Sequence, residues 1–242
     1  MYPDVHSVQR ITSIGAGPIG GGWAAHFLAR GYDVTAYVHS DSEIPALMAI
    51  IDTAWISLTT LGLAKGASLD RLTITTDLAA AVKDAQFIQE SAPERLAIKQ
   101  ALYAQLGRLA PQNCIIASST SGLTMSEIQA DCPTPERTVI GHPFNPPYLL
   151  ALVEIIGGDA TDPGAVQWAE AFYKVAGKAP LVMLKEIPGF IATRLQEALW
   201  REALHMVANG EATPDQIDTA LMNGPAARMA VQGQCMAFHV AC

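Results

Sequence analysis

Three glycines near the N-terminus restrict this chain more than any other feature. Ile11 to Gly22 reads ITSIGAGPIGGG, so Gly15, Gly17 and Gly20 form GxGxxG. An apolar run from Arg10 to Ile14 precedes them, and helical spacing through Trp23, Ala24, Phe27 and Leu28 follows. A strand that turns on glycine into a helix is the phosphate-cradling unit of a dinucleotide site. The first glycine permits the tight turn, the second lets a pyrophosphate reach the backbone, and the third lets helix and strand pack closely. The helix N-terminus adds free N–H groups and a positive dipole end. A glycine-rich turn can also bind nothing; the strand–turn–helix context argues against that here. Gly15, Gly17, Ile19 and Gly20 are its cofactor-binding candidates.

The alternation continues. Strands are expected at 33–38, 72–76, 85–90, 113–118 and 138–141, and helices at 20–29, 44–63, 79–82 and 94–109. Gly31 is the expected stop of the first helix. Thr124 with Glu127 three residues on forms a capping box. This pattern predicts an α/β fold with a Rossmann-type, doubly wound sheet. At Pro188 the texture changes. An amphipathic run to Val207 carries Ile191, Leu195, Leu199 and Met206 on one stripe and stops at Asn209-Gly210. Thr213-Pro214-Asp215-Gln216 opens another helix with a capping box and proline at its first position. The expected division is a dinucleotide-binding domain over 1–187 and a short helical substrate and dimerisation domain over 188–242, too small to stand undocked.

Composition removes other classes. The 242 residues are 50% hydrophobic and 16% charged, which suits a folded chain with a full core. A net charge of −8 disfavours nucleic acid or an anionic membrane as partner. Cys114, Cys132, Cys235 and Cys242 show no metal-type spacing and read as reduced thiols of a cytoplasmic protein without a metal site. Met1-Tyr2-Pro3-Asp4 lacks the features of a secretory signal. Charges such as Glu154 interrupt the apolar runs, so no membrane span is expected.

A second segment supplies the chemistry. Gly141 to Ile156 reads GHPFNPPYLLALVEII, with His142 at a strand end, a rigid turn from Pro143 to Pro147, and Glu154 in an apolar strand. A buried carboxylate needs a partner, and His142 is the available one. A carboxylate that fixes the imidazole tautomer and stabilises its protonated form makes an acid–base pair. The bland alternative is a salt-bridged structural pair. With the glycine turn, the pair points to an oxidoreductase: hydride to a bound nicotinamide, proton to His142.

The segments GAGPIGGGWAA, FIQESAPERLAIK, SSTSGL, GHPFNPPYLLALVE and PGFIATRLQEALWREAL, with Gly224 to Arg228, run across nearly the whole chain. On these the chain resembles the 3-hydroxyacyl-CoA dehydrogenase superfamily, within it most the branch of L-carnitine dehydrogenases, with the lambda-crystallin/L-gulonate 3-dehydrogenase branch near. The resemblance implies that His142 is the acid/base, that Glu154 orients it, and that Ser121 hydrogen-bonds the reacting oxygen. It also implies Glu94 and Lys99 around the cofactor, Asn145 in the site, and a homodimer.

Three departures from that family qualify the resemblance. Val38 stands where a ribose-binding acid is usual, followed by His39 and Ser40, which can donate hydrogen bonds to a phosphate. NAD is the expected cofactor, with NADP admitted because the repelling acid is gone; Asp41 or Glu43 could turn inward to replace it. Thr193 stands where many relatives carry asparagine or aspartate beside the substrate. The end at Cys242 reads as a helical domain cut short.

The substrate reading is coarser. The segment 41–70 lacks the lysine-rich helical pair used for a CoA tail, which favours a small polar substrate. A quaternary ammonium head such as carnitine's wants aromatic faces; Phe144, Tyr148, Trp200 and Phe238 are candidates, and Arg228 could hold a carboxylate. Met229 to Met236 lacks the aromatics that carnitine-type relatives tend to have there. The expectation is a dehydrogenase of a small, carnitine-like 3-hydroxy acid. A 3-hydroxyacyl-CoA or L-gulonate type, or a catalytically weak dinucleotide-binding homologue, stays open beside it.

Overall fold

Parallel strands covered on both faces are buried throughout; Phe87–Glu90 and Ile115–Ser118 are of this kind, with every residue buried, the polar Gln89 and Glu90 included. The computed structural model describes residues 2–241; Met1 and Cys242, one of the four thiols, lie outside the described residues. The strands are β1 (Arg10–Ile14), β2 (Asp33–Tyr37), β3 (Leu72–Thr75), β4 (Phe87–Glu90), β5 (Ile115–Ser118), β6 (Thr138–Pro143), β7 (Leu152–Gly157) and β8 (Ala179–Val182). They form one sheet in the order β3-β2-β1-β4-β5-β6-β7-β8. Neighbours are parallel except β6 and β7, which run antiparallel. Strand order reverses between β1 and β4, and the glycine turn follows β1 directly. That is the switch point at which such sheets bind ligands.

The helices of this part are α1 (Pro18–Ala29), α2 (Ile44–Leu61), α3 (Leu78–Val82), α4 (Leu96–Leu109), α5 (Met125–Ile128) and α6 (Pro163–Val175). One core cluster holds Trp23, Phe27, Val34, Ala36, Phe87, Phe172 and Tyr173. A second holds Ile14, Ile88, Tyr103, Leu106, Ile116, Ile140 and Phe190. The first is an aromatic stack, with Phe87 and Phe172 ring centres 4.3 Å apart and Trp23 on Phe27 at 5.1 Å. Gly31 ends α1 with φ +86°, and Thr124 and Glu127 form their capping box on α5. Beyond the expected elements the fold has α6, started by Asp162 accepting the Gly164 N–H with Pro163 at its first position, and β8 behind it.

Asp41–Leu61 is long and apolar enough to cross a membrane by length and composition alone, with Asp52 interrupting its apolar run. Here Leu47, Ile51, Ala54 and Leu58 are buried, and α2 packs on α1. Ile44 and Trp55 pack partly buried against the same core, while Ile56 and Leu61 are exposed.

The chain divides into two compact units, Met1–Phe190 and Ile191–Cys242. The second consists of α7 (Ala192–Ala208), α8 (Pro214–Asn223), α9 (Pro225–Gln232) and α10 (Gln234–Ala241). Helix α7 begins later than the sequence suggests, because Gly189 (φ +72°) and Phe190 (φ +50°) form a left-handed turn that no helix contains. Thr213 and Gln216 cap α8 reciprocally, and Gly210 follows α7 with φ +69°. None of the residues of α7 is buried; Leu199 and Met206 line a groove of about 500 Å³ together with Ile217 and Leu221 of α8.

Candidate active site

The glycine turn has the shape its sequence demands. Gly15 sits at φ +109°, and a Cβ there would lie 2.5 Å from the Ser91 carbonyl oxygen. Gly20 lies against the Gly15 carbonyl, so a Cβ at Gly20 would overlap it. Gly17 is different: it is the N-cap of α1, has no side-chain capping bond, and a Cβ there would meet nothing within 4 Å. Open space before a helix N-terminus whose N–H groups lack a side-chain acceptor fits a pyrophosphate. Ile19 is partly buried against the core and anchors the first turn.

The ends of β4 and β5 carry a second layer. Glu90, buried at the end of β4, accepts from Lys99 Nζ at 2.7 Å, Ser118 Oγ at 2.6 Å and the Ala92 N–H at 2.6 Å. Lys99 is 1% exposed and also lies 3.6 Å from Glu94. Its ammonium is therefore occupied by protein carboxylates and the Ala92 carbonyl. Glu94 accepts from the Thr120 hydroxyl at 2.5 Å and from the N–H groups of Ser121 and Gly122 at 2.9 and 3.2 Å. Partial burial pushes the Glu94 carboxyl up, but the Thr120 hydroxyl, Lys99 and the loop N–H groups outweigh it and hold it below the usual range. Ser121 is thereby fixed by its backbone, with its residue exposed.

His142 and Glu154 are register partners across β6 and β7. Nδ1 of His142 lies 2.8 Å from Glu154 Oε2, with the histidine 5% and the glutamate 0% exposed. With Nδ1–H donating to the carboxylate, Nε2 is the free acceptor. Phe144 stands edge-on to the imidazole at 5.5 Å and Phe190 packs on it at 5.2 Å. A left-handed non-glycine costs roughly 1–2 kcal/mol, which burial of the Phe190 ring offsets. Asn145 is exposed, next to the cis Asn145–Pro146 bond. Lys178 pins this loop by donating to the carbonyls of Pro147 and Leu150, its ammonium 5.0 Å over the Trp23 ring. Burial lowers the Lys178 amine to about 8.

Beneath lies a polar chain that sequence reasoning missed. Gln89 donates to Ser119 Oγ at 2.8 Å and to the Gly141 carbonyl at 3.2 Å, and accepts from the Tyr173 hydroxyl at 2.5 Å. It ties β4, β5 and β6 together just before His142. A glutamine beside Glu90 in a central strand was the available signal.

Val38 is 0% exposed within the core cluster of Val34 and Ala36. As a cofactor-binding residue it is corrected: strand alternation turns its side chain into the core, where it offers nothing to a ribose. The His39 N–H donates to Glu43 Oε2 at 2.8 Å. Tyr148 packs partly buried on the core beside Gly22. Thr193 and Trp200 belong to α7, Arg228 to α9 and Phe238 to α10, all in the helical unit. Thr193 is half-buried there and the other three are exposed. Among the described residues no three His, Cys, Asp or Glu gather as a metal site.

A strand–glycine–helix turn stands at the switch point, with a buried histidine–carboxylate pair at the same carboxyl edge of the sheet; by its relatives the chain is a nicotinamide-dependent dehydrogenase that acts on a CH–OH group. The chain belongs to the 3-hydroxyacyl-CoA dehydrogenase family: residues 10–187 match its NAD binding domain and residues 189–240 its C-terminal domain. L-carnitine dehydrogenase of Streptomyces griseus is 57% identical over 234 residues, covering 97% of this chain and 70% of that one. L-carnitine dehydrogenase of Pseudomonas putida is 46% identical over 239 residues, covering 99% and 74%. Among solved structures, an NAD+-dependent dismutase, the 5-dehydrogenase of 5-formyl-3-hydroxy-2-methylpyridine 4-carboxylic acid, superposes with TM-score 0.90 at 33% identity, over 97% of this chain and 76% of that one. The 3-hydroxybutyryl-CoA dehydrogenase of Escherichia coli superposes with TM-score 0.80 at 32% identity, over 89% and 46%.

Proposed function

We propose that this chain oxidises the 3-hydroxyl carbon of a small 3-hydroxy acid, carnitine or a close analogue, with NAD as cofactor. The buried pair of His142 and Glu154, 2.8 Å apart, carries the reading. The bound nicotinamide supplies the hydride acceptor. His142 Nε2 takes the hydroxyl proton, and the resulting imidazolium is stabilised by the Glu154 carboxylate on its other nitrogen. The products are the 3-keto acid, reduced cofactor and one proton, which leaves through His142. Ser121 hydrogen-bonds the reacting oxygen and Asn145 positions the substrate beside it. Gly15, Gly17, Ile19 and Gly20 hold the pyrophosphate, while His39 and Glu94 flank the dinucleotide.

Carnitine is favoured by the relatives that carry its name and by the region between β2 and β3. That region holds one long helix, Ile44–Leu61, and Lys65 as its only lysine between positions 41 and 70. Such a surface gives little for the phosphates of a CoA tail. Phe144, Trp200 and Arg228 are our candidates for the ammonium and carboxylate ends, with Thr193 as a further substrate contact. We read the helical unit as the substrate and dimerisation part of a cytoplasmic homodimer.

The test is absorbance of reduced nicotinamide during incubation with L-carnitine, L-gulonate, a 3-hydroxyacyl-CoA and simple 3-hydroxy acids. Turnover with L-carnitine as best substrate supports the proposal. A best rate with the CoA ester or L-gulonate moves the substrate assignment, and no turnover with any of them contradicts the function.

A further inference from the structure

The dinucleotide site is short of one group, and the structure shows what stands in its place. Sites of this kind carry an acid about 20 residues past the glycine turn, at the end of the second strand, to take the ribose hydroxyls. That position is Val38, which is buried in the core. Strand β2 therefore provides no carboxylate of its own.

The turn after β2 folds one back. Glu43 is part of the short 3-10 turn Asp41–Glu43, and its Oε2 accepts the His39 N–H at 2.8 Å. This places a carboxylate at the carboxyl end of β2. The same strand end meets the glycine turn, since the Gly15 N–H donates to the Tyr37 carbonyl at 3.0 Å. Glu43 is half-buried, whereas Asp41, the other acid of the turn, is exposed. Ser40 and Ser42 engage each other through their hydroxyls at 2.6 Å. With Oε2 on His39, Oε1 is left to accept from a ribose diol.

We infer that Glu43, held by the His39 N–H at the end of β2, is the ribose-binding acid of this chain and the residue that disfavours a 2′-phosphate. The inference rests on the dinucleotide reading of the Gly15–Gly20 turn. A carboxylate accepts both hydroxyl hydrogens of a ribose and repels a dianionic phosphate at the same place. A loop cap alone would need only an oxygen acceptor, and the charge would be irrelevant.

That difference sets the experiment. Glu43→Gln keeps an amide oxygen to accept from His39 but removes the charge. Calorimetric titration of the full chain with ADP-ribose and with its 2′-phosphate compares wild type, Glu43→Gln and Asp41→Asn, with Tm measured for each. The expected result is an ADP-ribose Kd about tenfold weaker in Glu43→Gln, an unchanged or tighter Kd for the 2′-phosphate, and an unchanged Tm. Asp41→Asn should match wild type. Wild-type affinities for both probes in Glu43→Gln, or a lowered Tm with both weakened equally, would overturn the assignment, as would the shift occurring in Asp41→Asn instead. Wild type that binds neither probe would contradict the dinucleotide reading itself, before any variant is made.

Discussion

His142 and Glu154 face each other across the antiparallel pairing of β6 and β7, Nδ1 to Oε2 at 2.8 Å. Because they are register partners, backbone hydrogen bonding fixes where the two side chains start, and burial keeps water from competing. Glu154→Gln preserves shape and an acceptor oxygen but loses the charge that stabilises imidazolium. Turnover at saturating NAD should fall roughly tenfold to a hundredfold, measured as kcat. An unchanged kcat would make the carboxylate a structural partner only.

The glycine turn separates steric need from ligand need. Gly20→Ala drives a methyl into the Gly15 carbonyl and should lower stability by about 1–3 kcal/mol. Gly17→Ala meets no protein atom within 4 Å, so its Tm should match wild type while its NAD affinity drops at least about tenfold. Equal NAD affinity in Gly17→Ala would show that the pyrophosphate does not approach there.

His26 gives the fold a specific acid sensitivity. Burial, then the nearby Lys178 charge, lowers its imidazole from 6.5 to about 3, and its Nε2 lies 2.9 Å from the Ala176 carbonyl. Above pH 6.5 it is neutral in both states and contributes nothing to the pH dependence. As pH falls below that value the unfolded chain takes up a proton the fold refuses. Stability is lost progressively down to about pH 3, on the order of 5 kcal/mol in total. His26→Gln removes this slope, so urea denaturation at pH 7, 5.5 and 4 should show wild type losing more stability than the variant. Parallel losses would refute the assignment.

Helix α7 predicts association. Leu195, Leu199, Trp200 and Leu204 are each exposed on it, and large apolar side chains left exposed along one helix point to an interaction surface. Light scattering should report dimers or larger species, and Leu199→Glu should shift them toward monomer. A monodisperse wild-type monomer would contradict the homodimer.

The local signals were legible in the sequence because each depends on neighbours along the chain. The strand–glycine–helix turn, the stop at Gly31 and the capping boxes of Thr124 and Thr213 are of this kind. The His142–Glu154 pair was legible for a different reason, since a carboxylate in an apolar strand must find a partner. What stayed hidden is long-range or conformational. Gln89 and Tyr173 meet across 84 residues, and Lys99 could equally have pointed at a cofactor as at Glu90. Phe190, which packs on His142, has a left-handed backbone that no local signal announces. The side of β2 that Val38 occupies follows from alternation with Val34 and Ala36, once the strand is known to continue in register.

The central claim is that His142 moves the proton, and His142→Ala tests it most directly. Turnover of the best substrate should fall by about 10²–10⁴, while the NAD Kd, measured by titration on the same sample, stays within about twofold of wild type. Near wild-type turnover with intact NAD binding would contradict the account.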